Sequence, residues 1–217
     1  MIERPILFKD EMVRQIIAGR KTQTRRVVTN INSYFDGGPW YKHLKPRELW
    51  DWDNAHADGG PSPAGNGGPY LHLPYIGPDD EWGLEGTSHR IYSRMDSGDH
   101  YWVKECFYHW SIGGGAGVYW RATDPEFDGP WTTSLFMKRI YSRLDLDIKK
   151  IRLERVDVIT DEDALAEGCP PDWEKSYDSP RAWFAILWDQ INFSRGLGWA
   201  VNPWVWATTF TKVDEDG

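Results

Sequence analysis

Gly19-Arg20-Lys21-Thr22-Gln23-Thr24-Arg25-Arg26 is the stretch around which the rest of this chain is organised. Between Lys21 and Arg26 it carries three cations and two hydroxyls. Such a cluster is costly to bury without partners, so it either faces water or faces something that uses it. One Lys and one hydroxyl three residues apart, just after a glycine, suit an anion, a nucleobase edge or an acyl group. A solvated turn with ordinary surface charge is the plain alternative.

The preceding residues supply a frame. Arg4 to Phe8 reads as a short strand. Asp10 is suited to cap a helix over Glu11 to Ala18, in which Met12, Val13, Ile16 and Ile17 share one face, with Gly19 beyond its C-terminus. The cluster therefore leaves the helix exit as a loop and runs into a strand at Val27 and Val28.

From about residue 30 to 98 the character changes. The stretch is dense in Gly, Pro, Asp and His, has no sustained period of two or 3.6, and reads as a long irregular insertion. His43, His56, His72 and His89 fall here without zinc-like spacing, so no metal and no cofactor is expected. Regular structure returns at Asp99. Tyr101, Val103, Glu105 and Phe107 alternate with Trp102, Lys104 and Cys106 as in a strand, which sets the Glu105 carboxylate on an apolar face. A buried carboxylate needs a cation, and the Lys/Arg cluster is the natural candidate; an edge-strand Glu in water is the other reading. Val118 to Ala122 reads as a strand returning across the glycine-rich turn at 113–117. Lys138 and Arg139 form a second basic spot.

Asp147 to Ile159 is the longest strand signal, with a bulge expected near Glu154 and Arg155 to reconcile the faces of Ile151/Leu153 and Val156/Val158. Thr160 starts a short helix over Asp161 to Glu167, closed by Gly168. Glu167 thus ends a helix, where the macrodipole mildly disfavours an acid. Ser179-Pro180 starts another helix, with Trp183, Phe184, Leu187, Trp188 and Ile191 as its buried stripe. Trp204, Trp206, Thr208 and Phe210 alternate along a last strand, Pro203 marking its beginning or an edge. The tail from Asp214 is expected to fray.

The bulk numbers bound the function. The 217 residues suffice for one domain, 1–217, with 30–98 inserted. Hydrophobic residues make up 40% and charged residues 27%, as in ordinary soluble proteins. No apolar run is long enough for a membrane and the N-terminus lacks a signal layout. Two isolated cysteines, Cys106 and Cys169, point to a reducing cytoplasm, the host's if the chain is phage-encoded. The net charge of −8 argues against a protein that grips long nucleic-acid backbones and favours a nucleoside or single exposed base. Fourteen tryptophans are mostly assigned to packing, a few to a ligand.

Several segments together resemble one family. The stretch from Gly19 is similar to the GxKxxTxR signature of ASCH domains, a branch of the PUA-like superfamily. GDHYWVKE (98–105) resembles their GD-x-x-WV-[RK]-E strand, and VDVITDEDALAEG (156–168) their strand-to-acidic-helix segment. The ending over 184–206 is similar to the version in many phage and prophage proteins. These segments fall within 4–28 and 98–212, in the family's order. The resemblance implies an α+β fold: a small PUA-like β-barrel flanked by helices, with a cleft where the first helix exits. It implies binding of RNA, modified bases or nucleosides. One compact branch hydrolyses N4-acetylcytidine, and its roles would fall on Thr24 as nucleophile, Lys21 as base and Glu167 as acid. Arg20, Arg25, Arg26, Trp102, Lys104 and Glu105 are the expected ligand-binding residues.

Three other readings stand beside hydrolysis. One is a non-catalytic module for single-stranded RNA or a modified base. Another is a metal-independent ribonuclease using the same basic cleft. The last is a phage accessory protein that binds a host protein through the 30–98 insertion.

Overall fold

The computed structural model describes residues 1–28, 51–59, 69–74 and 88–213. The expected tail at 214–217 and most of the 30–98 insertion, including His43 and the side chain of His89, lie outside them. The architecture is α+β. The central sheet is built from β1 (Glu3–Leu7), β2 (Gln23–Val27), β6 (His100–Lys104), β9 (Asp145–Arg155) and β10 (Trp204–Lys212). Its order is β1-β6-β9-β10-β2, with β1 parallel to β6 and every other pairing antiparallel. Three further strands, β3 (His56–Gly59), β4 (Pro69–Pro74) and β5 (Ser88–Tyr92), form a separate antiparallel sheet, and β7 (Phe107–Ile112) and β8 (Gly115–Trp120) a hairpin. The α-helices are α1 (Asp10–Ile17), α2 (Asp161–Ala166) and α3 (Pro180–Asn192). None among the described residues is long and apolar enough to cross a membrane.

A closed barrel is not found among the described residues. Hydrogen-bonded strand order ends at β1 and β2, and these edges meet through a side chain: Arg26 Nη2 donates to the Leu7 carbonyl at 2.7 Å.

β10 organises the core. It lies between β9 and β2, so Pro203 marks the beginning of a central strand rather than an edge. Four consecutive residues of it, Val205 to Thr208, are buried, and so is Phe210 beyond the half-buried Thr209. This is the pattern of a strand covered on both faces. Phe210 packs with Ile6, Val13, Ile16, Val103 and Leu146 beneath α1. Trp206 packs with Val28 and Leu153 against Leu71, Leu73 and Ile91 of the three-stranded sheet. Val205 joins Trp183, Phe184 and Trp188 of α3. The described part of the insertion is therefore not irregular. Tyr70, Leu71 and Leu73 of β4 are buried, and the Gly/Pro-rich flanks had masked a strand only six residues long. His56 and His72 face each other across β3 and β4, ring centroids 4.6 Å apart.

Several local expectations change. Lys9, not Asp10, is the N-cap of α1, and Asp10 opens the helix and accepts a hydrogen bond from Arg121. The bulge in β9 falls earlier than expected. Thr209 pairs with Lys150 and Phe210 with Ile148, leaving Lys149 as the extra residue. One inserted residue shifts the inward parity, so Leu146 and Ile148 are buried before it and Leu153 after it. Beyond Arg155 the strand has ended, and Val156–Val158 is a 3₁₀ turn that buries Val156 and exposes Val158. On α3, Ile191 is exposed and Asn192 buried, because the inward stripe has drifted by the last turn.

Glu105 is 1% exposed, as its place on an apolar face predicts, but its cation is different. Arg143 holds it in a two-pronged pair, Nε to Oε1 and Nη2 to Oε2, both at 3.0 Å. Burial still pushes the Glu105 carboxyl above the ordinary glutamate value, with Arg143 pulling the other way. A raised folded-state pKa means that this group's contribution to stability falls as pH rises through the window above 4.5.

Candidate functional site

The end of α1 fixes the start of the site. Gly19 takes φ +71°, a left-handed turn that glycine adopts without strain, and its N–H bonds back to the Ile16 carbonyl. The chain is then stapled to the helix it has just left: the N–H groups of Arg20 and Lys21 both donate to the Gln15 carbonyl, at 2.9 and 3.0 Å. Lys21 forms a single antiparallel bridge with Glu167, and Thr22 N donates to the Ala166 carbonyl. The helix exit is thus tied to the far end of α2, whose own start is capped by the Thr160 hydroxyl accepting from Asp163 N. Thr24 and Arg25 lie on β2 opposite Thr208 and Ala207, not in a loop. The strand begins four residues earlier than the two valines suggested.

These connections bury Lys21, Thr24, Arg25 and Glu167 together. Lys21 Nζ donates to both the Glu167 carboxylate (Oε2) and the Glu167 carbonyl, each at 2.7 Å. The other carboxylate oxygen, Oε1, accepts from Arg25 Nη1 at 3.2 Å. Arg25 also donates to Glu154 (3.0 and 2.8 Å), Asp163 (2.7 Å) and Gln23 (3.3 Å). Arg152 donates to the other Glu154 oxygen, Oε2, at 3.1 Å and to the same Asp163 oxygen, Oδ2, at 2.8 Å. Three cations (Lys21, Arg25, Arg152) therefore meet three carboxylates (Glu154, Asp163, Glu167), and the cluster is neutral as a unit.

Electrostatics make Lys21 the responsive member. Loss of hydration on burial depresses its pKa below the ordinary 10.5, Glu167 opposes that shift, and the nearby Arg26 and Arg25 reinforce it. A proton moving along the 2.7 Å contact to Glu167 turns an ion pair into a neutral amine and acid without changing the net charge of the cavity.

A cavity of about 110 Å³ opens onto these groups. Polar walls come from Lys21, Thr24, Arg25, Arg26 and Glu167, apolar ones from Leu7, Phe8, Met12, Phe184, Leu187, Trp188 and Ile191, with Asn192 and Arg195 at the end of α3. Comparable cavities of about 150 Å³ admit a benzene ring, so the enclosed part is of single-ring size. The Phe8 ring carries two cations over it, Lys21 Nζ at 5.6 Å and the Arg26 guanidinium at 5.2 Å. No hydrogen bond within the described residues ties up the Thr24 hydroxyl.

The other expected ligand-binding residues lie elsewhere. Arg20 is exposed and bonds Gln15 Oε1 at 2.5 Å. Trp102 and Lys104 sit on β6 beside β1, with Lys104 Nζ 5.7 Å from the Trp102 ring and bonded to the Leu135 carbonyl. Neither they nor Glu105 line the cavity. Their alternation along β6 and its extension was legible, but not which end of the sheet they occupy. Conversely, α3 supplies a wall that the sequence suggested only as core. Asn192, 4% exposed in an otherwise apolar stripe, was the one available signal.

Gly168 is the tightest supporting position. It takes φ +95°, and a Cβ there would stand 3.2 Å from the Cβ atoms of both Gln15 and Lys21. Gly168→Ala is expected to destabilise the protein by about 1–2 kcal/mol from backbone strain alone and to displace Lys21. Chemical denaturation reads the first effect; a Gly168→Ala protein as stable as the parent would contradict the geometry.

No family model matches the chain, and no curated protein matches it. A solved structure, that of protein EF3133 from Enterococcus faecalis V583 (family DUF984), aligns over 99% of this chain and 82% of its own at a TM-score of 0.40 and 9% identity. A likeness that slight carries neither fold nor function across.

Proposed function

We propose that the cavity at the exit of α1 binds a modified base or nucleoside, and that it hydrolyses an N4-acetylcytidine-type amide within a PUA-like, ASCH-type fold. The observation that carries the reading is the burial of the Lys21–Glu167 ion pair in a ring-sized cavity that Thr24 also lines, its hydroxyl free of hydrogen bonds among the described residues. An apolar wall of Phe8, Phe184 and Trp188 suits a neutral planar ring. A ribonuclease reading is weaker, because Lys21 and Arg25 are already paired with carboxylates.

The chemistry balances on these residues. With the pair in its neutral form, Lys21 takes the Thr24 proton as Oγ bonds to the acetyl carbon. The C–N bond then breaks as Glu167 delivers its proton to the departing cytosine amine, leaving acetyl-Thr24 and the ionic pair. In the second half, Glu167 takes a proton from an attacking water while Lys21 returns one to Thr24 Oγ. Acetic acid leaves, losing its proton to bulk water as acetate, and the neutral pair is restored. Arg26, exposed at the mouth, is the cation available to the developing oxyanion. The buried site works on one base at a time, in keeping with an acidic protein.

Incubation with N4-acetylcytidine is expected to release one acetate per cytidine formed, and Thr24→Ala to abolish release while retaining binding. Binding is followed as a rise in melting temperature with ligand concentration. Folded protein that binds the nucleoside but forms no cytidine would leave a recognition module, the reading favoured by the fully paired charges of the resting site.

A further inference from the structure

A second cavity adjoins the first. It measures about 90 Å³, and Val27, the last residue of β2, lines both. Its other walls include Trp52, Arg155, Leu197, Val201 and Trp204. Walls of the two are also hydrogen-bonded: Trp188, lining the first cavity, donates its indole N–H to the carbonyl of Leu197, lining the second, at 2.8 Å.

The chemistry of this hollow is that of a base-stacking site. The Arg155 guanidinium lies 4.6 Å from the centroid of the Trp204 ring and is anchored by the carbonyls of Asn202 (3.0 Å) and Trp52 (2.8 Å). A fixed cation on an indole, set among apolar walls and the exposed Asp53, offers flat surface to any nucleobase. The Trp204 indole N–H is buried with no acceptor among the described residues. An orphaned buried donor is costly, and a base carbonyl or ring nitrogen would satisfy it. Arg195, which donates to Asn192 Oδ1 at 2.9 Å, is the nearby cation. It lines the first cavity, is exposed, and lies two residues before Leu197 of the second.

We infer that this second cavity holds the base next to the modified one, so that the ligand is a nucleotide within a single strand of RNA, with Arg195 facing the phosphate between the two bases. The inference rests on the proposed reading of the first cavity and extends it from a free nucleoside to a strand. It also fits the charge of the molecule: two neighbouring bases and one phosphate are gripped, rather than a long backbone.

The test compares affinities for N4-acetylcytidine and for two dinucleotides that carry the same modified base, with the neighbour on its 5′ or its 3′ side, measured by titration calorimetry. One dinucleotide is expected to bind about tenfold or more tightly than the nucleoside, as stacking of a single base provides. Val201 is 51% exposed at the second cavity, so Val201→Glu leaves the core intact while setting a negative charge at its rim. This variant is expected to erase the dinucleotide advantage and leave nucleoside affinity unchanged. Equal binding of nucleoside and both dinucleotides would overturn the second site alone. So would an equal loss for all ligands in Val201→Glu. Binding of none of them would overturn the reading of the first cavity, and this inference with it.

Discussion

Replacing Arg25 by leucine is expected to cost the fold about 3–5 kcal/mol, the range for removing one partner of a buried ion pair. The side chain is fully buried and touches Glu154, Asp163 and Glu167 at once. Its loss strands three carboxylates around a hole, with Arg152 and Lys21 left to offset them from either side. Against a typical total of about 5–15 kcal/mol, a loss of that size is large. Arg25→Lys is expected to recover little, because one ammonium cannot reproduce a planar fork bonded to three acids. Urea unfolding of the two variants measures this directly. A midpoint for Arg25→Leu within experimental error of the parent would refute the central place given to this residue.

The second large effect concerns Lys21. In the proposed reaction Lys21→Met removes the group that accepts the Thr24 proton, and acetate release is expected to fall about 10²–10⁴-fold. The pH dependence carries the sharper test. Lys21 works as the free amine, and burial holds its pKa below 10.5. The reaction also needs the proton that Glu167 gives to the leaving amine, so the rate is expected to fall as the pair loses its one proton to solvent, at a pH below 10.5. The same depression has a stability sign. Between the lowered value and 10.5 the folded protein binds fewer protons than the unfolded one, so this group's contribution to stability rises with pH across that window. A parental rate that has not fallen by pH 10.5, or a Lys21→Met variant with parental turnover, would exclude the Lys21–Glu167 pair as the base and acid.

Local signals in the sequence reached the helix exit, the left-handed Gly19, the short capped helix before Glu167 and the inward face of Glu105. Each rests on a period or a cap spanning only a few residues. Partnerships between remote residues were not legible in that way. Glu105 sits on the predicted face, yet whether Arg143 or the cluster after α1 neutralises it depends on how β6 and β9 are ordered across the sheet. Likewise nothing near Arg25 announces Glu154 and Asp163, which arrive through the β9-to-α2 connection. The meeting of Lys21 with Glu167 was reachable from the family resemblance alone, since spacing along the chain says nothing about residues 146 positions apart. β4 was missed because turn-forming residues crowd both of its ends. At α3 the rule of helical spacing held for Trp183, Phe184 and Trp188 and failed at Ile191, where the last turn gives way to a 3₁₀ segment.

The position of β10 bears on how the molecule is born. β2, which carries Thr24 and Arg25, finds its only strand neighbour among the described residues in β10, some 180 positions later in the chain. During synthesis, Lys21 and Thr24 leave the ribosome early and must wait, unpaired, until the residues around Trp204 to Thr209 emerge. A nascent chain halted just before Trp204 already contains every residue proposed to take part in the hydrolysis. It still lacks the strand against which those residues are aligned.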